Sequence, residues 1–419
     1  MIFLVALYTY AGMQQQGDIS SAGSNAKVLT IGVYGELENA CRAVFTSEDF
    51  KIKFPALAIE LKPADKESHH NRLVTQIASG TGTYDIEALD IGYIARLLAA
   101  DGLTDLAPAP YNGNEAGKNL VKYGMANAAT KDGILAALPV NTAPAVLFWR
   151  ESKAQEAGIN LNNPGSWQEY IEKGTKLTID TDGDGKKDQY ALTHPAVLAM
   201  IPLNGGYGDW FQGNEPYAPK QRFTDVLTLV QAVRKAGIDA NLAPSSDEWM
   251  KSFSENRVVT MFSGSWLGND FRNWMCPELK GDWRISYPPA RTYASYGGTY
   301  LSIPKATAEE KKADCWAVIK YLCTSPEAQL LSFRTTRAFP ALTTVLSNPV
   351  MNEPVEYFGG QVIYKIFQDI VLNIPRQKVS EYDDMAVTIF RKAINAVISD
   401  NVSVEQAYNA AKKELLSQL

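Results

Sequence analysis

Apolar and polar positions follow two rhythms along the chain. Val28-Leu29-Thr30-Ile31-Gly32-Val33-Tyr34 is a compact apolar run, and Gly35-Glu36-Leu37-Glu38-Asn39 then opens a segment of helical spacing. Phe54-Pro55 breaks that helix, and Ala58-Ile59-Glu60-Leu61 predicts a second strand. Leu73, Val74 and Ile77 mark one face of the next helix, which Gly80-Thr81-Gly82 ends. Tyr84–Leu89 predicts a third strand running into Asp90-Ile91-Gly92-Tyr93, with a further helix through Leu97 and Leu98. Strands alternating with helices imply an α/β fold whose mostly parallel sheet is covered on both faces, with ligands at the carboxyl ends of its strands. That rule places Glu36, Glu38, Asn39 and Asp90 at a binding edge.

Farther along, Ile134–Pro139 and Ala145–Trp149 read as one long strand interrupted at Val140-Asn141-Thr142-Ala143-Pro144. A strand that continues past a proline-containing break can pass from one sheet to another. Later helices are well patterned: Phe223, Val226, Leu227, Val230 and Val233 share a face, as do Trp316, Ile319 and Cys323, and then Ile389, Ala393 and Val397. No internal repeat is visible.

The amino terminus departs from this order. Ile2–Leu7 is an apolar run too short to span a bilayer, and no Lys or Arg precedes it. A polar tether, Gln14–Asn25, follows Ala11-Gly12. Bacterial lipoproteins begin in this way, although they carry Cys where Met13 stands; an expression remnant or a misassigned start reads equally well. Residues 1–26 are expected to lie outside the fold. No later segment is apolar enough to span a membrane.

Composition narrows the function. The 419 residues allow two lobes on one polypeptide, and 46% hydrophobic with 21% charged residues is ordinary for a globular chain. A net charge of -6 gives no electrostatic reason to expect nucleic acid. The four cysteines, Cys41, Cys276, Cys315 and Cys323, lack zinc-site spacing. Cys315 and Cys323 lie too far apart along one helix to bridge each other, which leaves a bridge from Cys276 or buried free thiols. Three histidines, two of them adjacent, offer little for histidine-based catalysis.

Eight Trp and twenty Tyr dominate the aromatic content, and several fall in Gly- and Asn-rich loops. Asn204-Gly205-Gly206-Tyr207-Gly208-Asp209-Trp210-Phe211 has the composition of a sugar-binding loop: rings for apolar sugar faces, amide and acid groups for hydroxyls. A loop packed by its own aromatics fits the same residues. In Met261-Phe262-Ser263-Gly264-Ser265-Trp266, a strand runs into a Gly-Ser turn that leaves Trp266 either as a platform at the strand's end or in the core.

The sharpest local signal is Asp180-Thr181-Asp182-Gly183-Asp184-Gly185-Lys186-Lys187-Asp188. Its carboxylates repel one another unless a cation or solvent compensates. The D-x-D-x-D-G order is that of an EF-hand loop, with Asp180, Asp182, Asp184, the Lys186 carbonyl and Asp188 as ligands of one structural Ca²⁺. Ala191 stands where the bidentate Glu belongs, so the site is weak; a solvated acidic turn is the alternative. Templates for serine hydrolases, P-loops, zincins and dinucleotide binding are absent.

Taken in order, these segments resemble the family 1 extracellular solute-binding proteins of ABC transporters, the class that contains maltose-binding protein. The resemblance covers residues 27–419. It rests on Phe54-Pro55, Tyr84-Asp85-Ile86, Gly102-Leu103-Thr104-Asp105-Leu106, and Leu138-Pro139-Val140 leading to Leu147-Phe148-Trp149. It continues through Ser166-Trp167-Gln168-Glu169, Asp188-Gln189-Tyr190, Gly264-Ser265-Trp266 and Gly297-Gly298 to Ser325-Pro326-Glu327-Ala328-Gln329 and Arg337-Ala338-Phe339-Pro340.

The resemblance implies a two-lobed periplasmic-binding-protein fold, each lobe a mostly parallel sheet flanked by helices. Lobe one takes residues 27–140 plus 290–340, and lobe two takes 141–289 plus 341–419. A three-crossing hinge is expected near Leu138–Ala143, Tyr287–Thr292 and Ala338–Thr343. It further implies a cleft lined by Glu36, Asp90, Asn141, Trp210, Trp266, Tyr296 and Gly297. The expected function is a monomeric, extracytoplasmic, non-catalytic receptor that needs no cofactor and delivers a sugar or oligosaccharide to a membrane permease. The alternatives are a same-fold receptor for a non-sugar polar ligand and a glycan-active enzyme.

Overall fold

The computed structural model describes residues 26–205, 209–377, 379–400 and 402–419. The leader and tether assigned to residues 1–26 lie outside them except for Ala26, as do Gly206, Tyr207 and Gly208 of the aromatic loop. In chain order the strands are β1 (Lys27–Tyr34), β2 (Leu57–Ala64), β3 (Ile86–Asp90), β4 (Leu138–Pro139), β5 (Asn141–Thr142), β6 (Ala145–Arg150), β7 (Phe211–Gln212), β8 (Glu215–Pro216), β9 (Thr260–Gly264), β10 (Trp283–Ser286), β11 (Thr299–Ser302) and β12 (Phe339–Pro340).

Strand burial follows sheet position. Leu57, Ile59 and Leu61 of β2 are buried while Ala58, Glu60 and Lys62 are only half-buried, as expected of a strand with one covered face. β3 is buried from Ile86 to Leu89 on both faces. The first sheet runs β2-β1-β3-β11-β4, which puts β2 at an edge and β3 in the middle. β1 pairs in parallel with β2 and β3, as the alternation of strands and helices predicts. β11, arriving from the other end of the chain, is antiparallel to both β3 and β4.

The second lobe corrects the expectation of a mostly parallel sheet there. Its sheet, β10-β6-β9, is antiparallel throughout; among the described residues the parallel pairing there is limited to isolated bridges, Tyr190–Val258 and Leu192–Asp239, with Thr130–Val379 linking it to the first lobe. All six residues of β6 are buried, and an apolar run covered on both faces carries no mark of its neighbours' direction.

The broken strand does change sheets. β4 ends in the first sheet, β5 pairs antiparallel with β12, and β6 begins the second sheet. Beside them, Ala145 N–H donates to the Ala294 carbonyl and Tyr296 N–H to that of Ala143. This contact falls a few residues beyond the expected Tyr287–Thr292. The earlier turn, with positive φ at Ala290 and Arg291, is held instead by the Ala290 N–H donating to Pro164 in the second lobe.

Helix ends follow local chemistry. Asp65 caps Lys66–Ser79 by accepting the Ser68 N–H, and Gly80 closes it at φ 71°. Ser166 caps Trp167–Leu177 in the same way. Three predicted helical faces are buried: Phe223, Val226, Leu227, Val230 and Val233 within Lys220–Ala236, Trp316, Ile319 and Cys323 within Glu309–Thr324, and Ile389, Ala393 and Val397 within Asp383–Ser399. On Lys66–Ser79 only Leu73 of the predicted face is buried, with Val74 and Ile77 half-buried. All four cysteines are buried and free, so the bridge from Cys276 does not form. No helix among the described residues is long and apolar enough to cross a membrane.

Candidate functional site

A cavity of about 880 Å³ opens between the two sheets at the hinge, and all seven residues nominated from the sequence line it. They do not play equal parts. Asp90, at the end of β3, is already engaged: one oxygen accepts the Gly92 N–H at 3.0 Å and the other the Lys66 ammonium at 2.7 Å. Asn141 Oδ1 accepts the Thr299 N–H at 2.9 Å, which ties β5 to β11 across the hinge. Glu36 opens the helix Glu36–Thr46, where the helix dipole favours an acid. Partial burial raises its carboxyl, opposed by the charge of Arg272 and a hydrogen bond from Asn39.

Trp266 is the exposed ring of the cleft, 43% accessible. Its indole N–H donates to the Tyr296 carbonyl at 3.0 Å, which spends the polar edge on the hinge and leaves the apolar face open. Gly264 serves this contact rather than a tight turn. A Cβ there would stand 2.4 Å from Trp266 Nε1 and 2.5 Å from the Tyr296 oxygen, so only glycine lets the indole reach the carbonyl. Gly297 and Gly298 follow with φ of 111° and 130°, a backbone that side-chain-bearing residues rarely adopt. The Gly298 carbonyl accepts the Ile91 N–H and brings the hinge against the end of β3.

Trp210 differs from the expectation of a ligand platform. It is 2% exposed and packs against Tyr217, Phe223 and Phe390, so it supports the cleft wall and presents almost no surface to the cavity. Tyr296 lies half-buried on the cavity, its phenol raised by burial and opposed by Arg391.

Three further cleft carboxylates, Asp270, Asp383 and Asp384, were not nominated. Burial pushes Asp270 up to about 6, opposed by the Trp274 indole donating to its Oδ1 at 3.1 Å and reinforced by the charge of Glu36. Asp270 lies four residues beyond Trp266, and helical spacing from that motif was the signal for it. Burial pushes Asp383 up to about 7; Oδ2 accepts the Ser380 N–H at 2.9 Å while Oδ1 is buried without a partner. Nothing in its local sequence marks Asp383, which the packing of Asp383–Ser399 carries to the cleft. On the same side the lobes touch: Lys131 pairs with Asp209 at 3.3 Å, and the Val379 N–H donates to the Ala129 carbonyl at 3.1 Å.

The acidic loop is away from this cavity. Carboxylate oxygens of Asp180, Asp182 and Asp188 lie within 4.8 Å of one another. Asp180 accepts the N–H groups of Gly183 and Gly185, and Asp188 accepts the N–H and hydroxyl of Thr181; these bonds hold both carboxyls below the usual range. Asp184 corrects the expected ligand set. It stands outside the cluster, its Oδ1 taking the N–H of Lys186 two residues on.

Two lobes joined by strand crossings, with an aromatic face and half-buried carboxylates between them, define a cleft receptor. The chain belongs to a family of that class: residues 47–359 match the bacterial extracellular solute-binding proteins, which are binding proteins rather than catalysts. An arabinooligosaccharide-binding protein of Halalkalibacterium halodurans is 22% identical over 348 residues, 80% of this chain and 76% of that protein. The protein of the same name from Bacillus subtilis is 22% identical over 73% of this chain and 71% of its own. Among solved structures, an extracellular solute-binding protein of family 1 superposes with a TM-score of 0.79 at 21% identity, covering 93% of this chain and 99% of its own. A binding protein from B. animalis subsp. lactis, solved in complex with β-1,6-galactobiose, reaches 0.73 at 17% identity over 94% and 98%. These likenesses carry the two-lobed fold.

Proposed function

We propose that the protein captures an oligosaccharide in the interlobe cleft and delivers it unchanged to the permease subunits of an ABC importer at the outer face of the cell membrane, working as a monomer. The observation that carries this reading is the open indole face of Trp266, fixed by its own N–H and flanked by carboxylates. Stacking of apolar sugar C–H surface on a ring, with acids holding paired hydroxyls, is the chemistry such a wall performs. The family and the sugar ligands named for its relatives support it. Lobe one is assigned residues 27–140 plus 290–340 and lobe two 141–289 plus 341–419; closing brings Glu36 and Asp90 toward Trp266 and Asp270.

A second reading, a polyamine or other cationic ligand, is favoured by Asp270, Asp383 and Asp384, which add three acids to the two expected from sequence. Lys66, Arg96 and Arg391 on the same wall oppose it. Titration calorimetry against arabino-, galacto- and malto-oligosaccharides with spermidine alongside, followed by product analysis, separates the readings. Sugar binding with the sugar recovered intact is expected. Heat from spermidine alone selects the second reading, and cleavage that co-purifies with the protein overturns the receptor.

The acidic loop is proposed to hold one structural Ca²⁺ through Asp180, Asp182 and Asp188, with the Lys186 carbonyl and water completing the shell; the protein needs no other cofactor. Binding to the native state alone raises the unfolding midpoint by mass action. A midpoint higher in excess calcium than in EDTA is therefore expected, and superimposable melts refute the site.

A further inference from the structure

Of the eight tryptophans, only Trp266 and Trp274 are exposed, at 43% and 57%. Trp266 caps, and Trp274 sits within, one continuous helical segment, Leu267–Asp270 running into Phe271–Met275. Between them stands Asp270, which lines the cleft. Trp274 donates its indole N–H to Asp270 Oδ1 at 3.1 Å, so the outer ring is anchored to a carboxylate of the ligand cavity rather than placed at random on the surface. That second bond matters, because a lone exposed tryptophan needs no explanation. Here the polar edge of the ring is occupied and its apolar face is left to solvent, the same arrangement that Trp266 has against the Tyr296 carbonyl.

We infer that Trp274 is an outer stacking subsite for an oligosaccharide, continuing the binding track from Trp266 past Asp270 to the rim of the cleft. The inference rests on the sugar-receptor reading and adds to it the size of the ligand. The two positions stand eight residues apart, at most about 12 Å along the axis at the α-helical rise and less where Phe271–Met275 winds as a π-helix. That span exceeds one sugar ring and suits a chain of three or more units. A disaccharide on Trp266 leaves Trp274 uncovered; a longer chain covers both rings and gains one more aromatic contact. Asp270 between them accepts hydroxyl hydrogen bonds from the bridging unit through the oxygen Trp274 does not use.

The test is calorimetry with arabino- and malto-oligosaccharide series, from disaccharide to hexasaccharide, on the wild-type protein, Trp274→Ala and Trp274→Phe. In the wild type, affinity is expected to rise by about threefold to tenfold between the disaccharide and the tetrasaccharide, the scale of one aromatic contact. Trp274→Ala should abolish that rise while leaving disaccharide affinity unchanged, and Trp274→Phe, which keeps a ring without the N–H, should restore most of it. The exposed position leaves the fold intact in both variants. A wild-type protein indifferent to chain length, or a Trp274→Ala variant with an unaltered length dependence, overturns the subsite. Equal weakening at every length overturns it too, since the ring would then act on the cleft as a whole. Failure of every sugar in both series is a different result: it removes the sugar reading and the subsite together.

Discussion

Replacing Trp266 with alanine is expected to weaken oligosaccharide binding at least about tenfold while the unfolding midpoint stays near that of the wild type. The ring stands two residues past the end of β9 at the hinge, its N–H is spent on Tyr296, and its face is open to the cavity. Truncating an aromatic anchor at the centre of a binding site costs about 2 kcal/mol or more, roughly thirtyfold in affinity. Little core is lost, since the ring is 43% exposed before any ligand covers it. Calorimetry with the tightest sugar and a thermal melt of the same sample read the two quantities. A variant that binds as tightly as the wild type would show that stacking happens elsewhere.

Trp210→Ala should do the reverse. This ring is 2% exposed and meets Tyr217, Phe223 and Phe390, with the Arg222 guanidinium 6.0 Å from its centroid. Emptying such a position typically costs about 3–5 kcal/mol of stability through lost burial and the cavity left behind. Denaturant unfolding should record that loss, while the fraction still folded binds sugar with nearly unchanged affinity. Normal stability with lost binding would move Trp210 back to the ligand and make its packing incidental.

The contrast between these two rings marks how far the site was legible in the sequence. Both stood in loops rich in glycine and polar residues, and spacing treats them alike. What separates them is the aromatic cluster from Tyr217, Phe223 and Phe390, the last contributed from far along the chain, and distant partners leave no local trace. Asp270 was within reach, four residues past Trp266; Asp383 was not, because only the packing of its helix brings it to the cleft. The fold shows the same division. β1, β2 and β3 were legible as strands and as parallel neighbours, because each is followed by a helix that returns the chain. The antiparallel second sheet was hidden, because β6 is apolar on both faces and long helical excursions separate it from β9 and β10.

The four free thiols bear on how the protein lives outside the cytoplasm, where its family acts. Burial pushes Cys41 and Cys315 up to about 12 and Cys276 up to about 11, and holds Cys323 well above the usual thiol range. Oxidants attack the thiolate, and a thiol with a pKa near 12 presents roughly one thiolate per hundred thousand molecules at neutral pH. Once folded, the four thiols therefore offer an oxidant few thiolates, without a single cross-link among them. Before folding the same four sulfurs are ordinary and accessible. Export of this protein thus sets the speed of burial against the speed of oxidation, and a chain that loses leaves the competition locked by a covalent bond its native state has no place for.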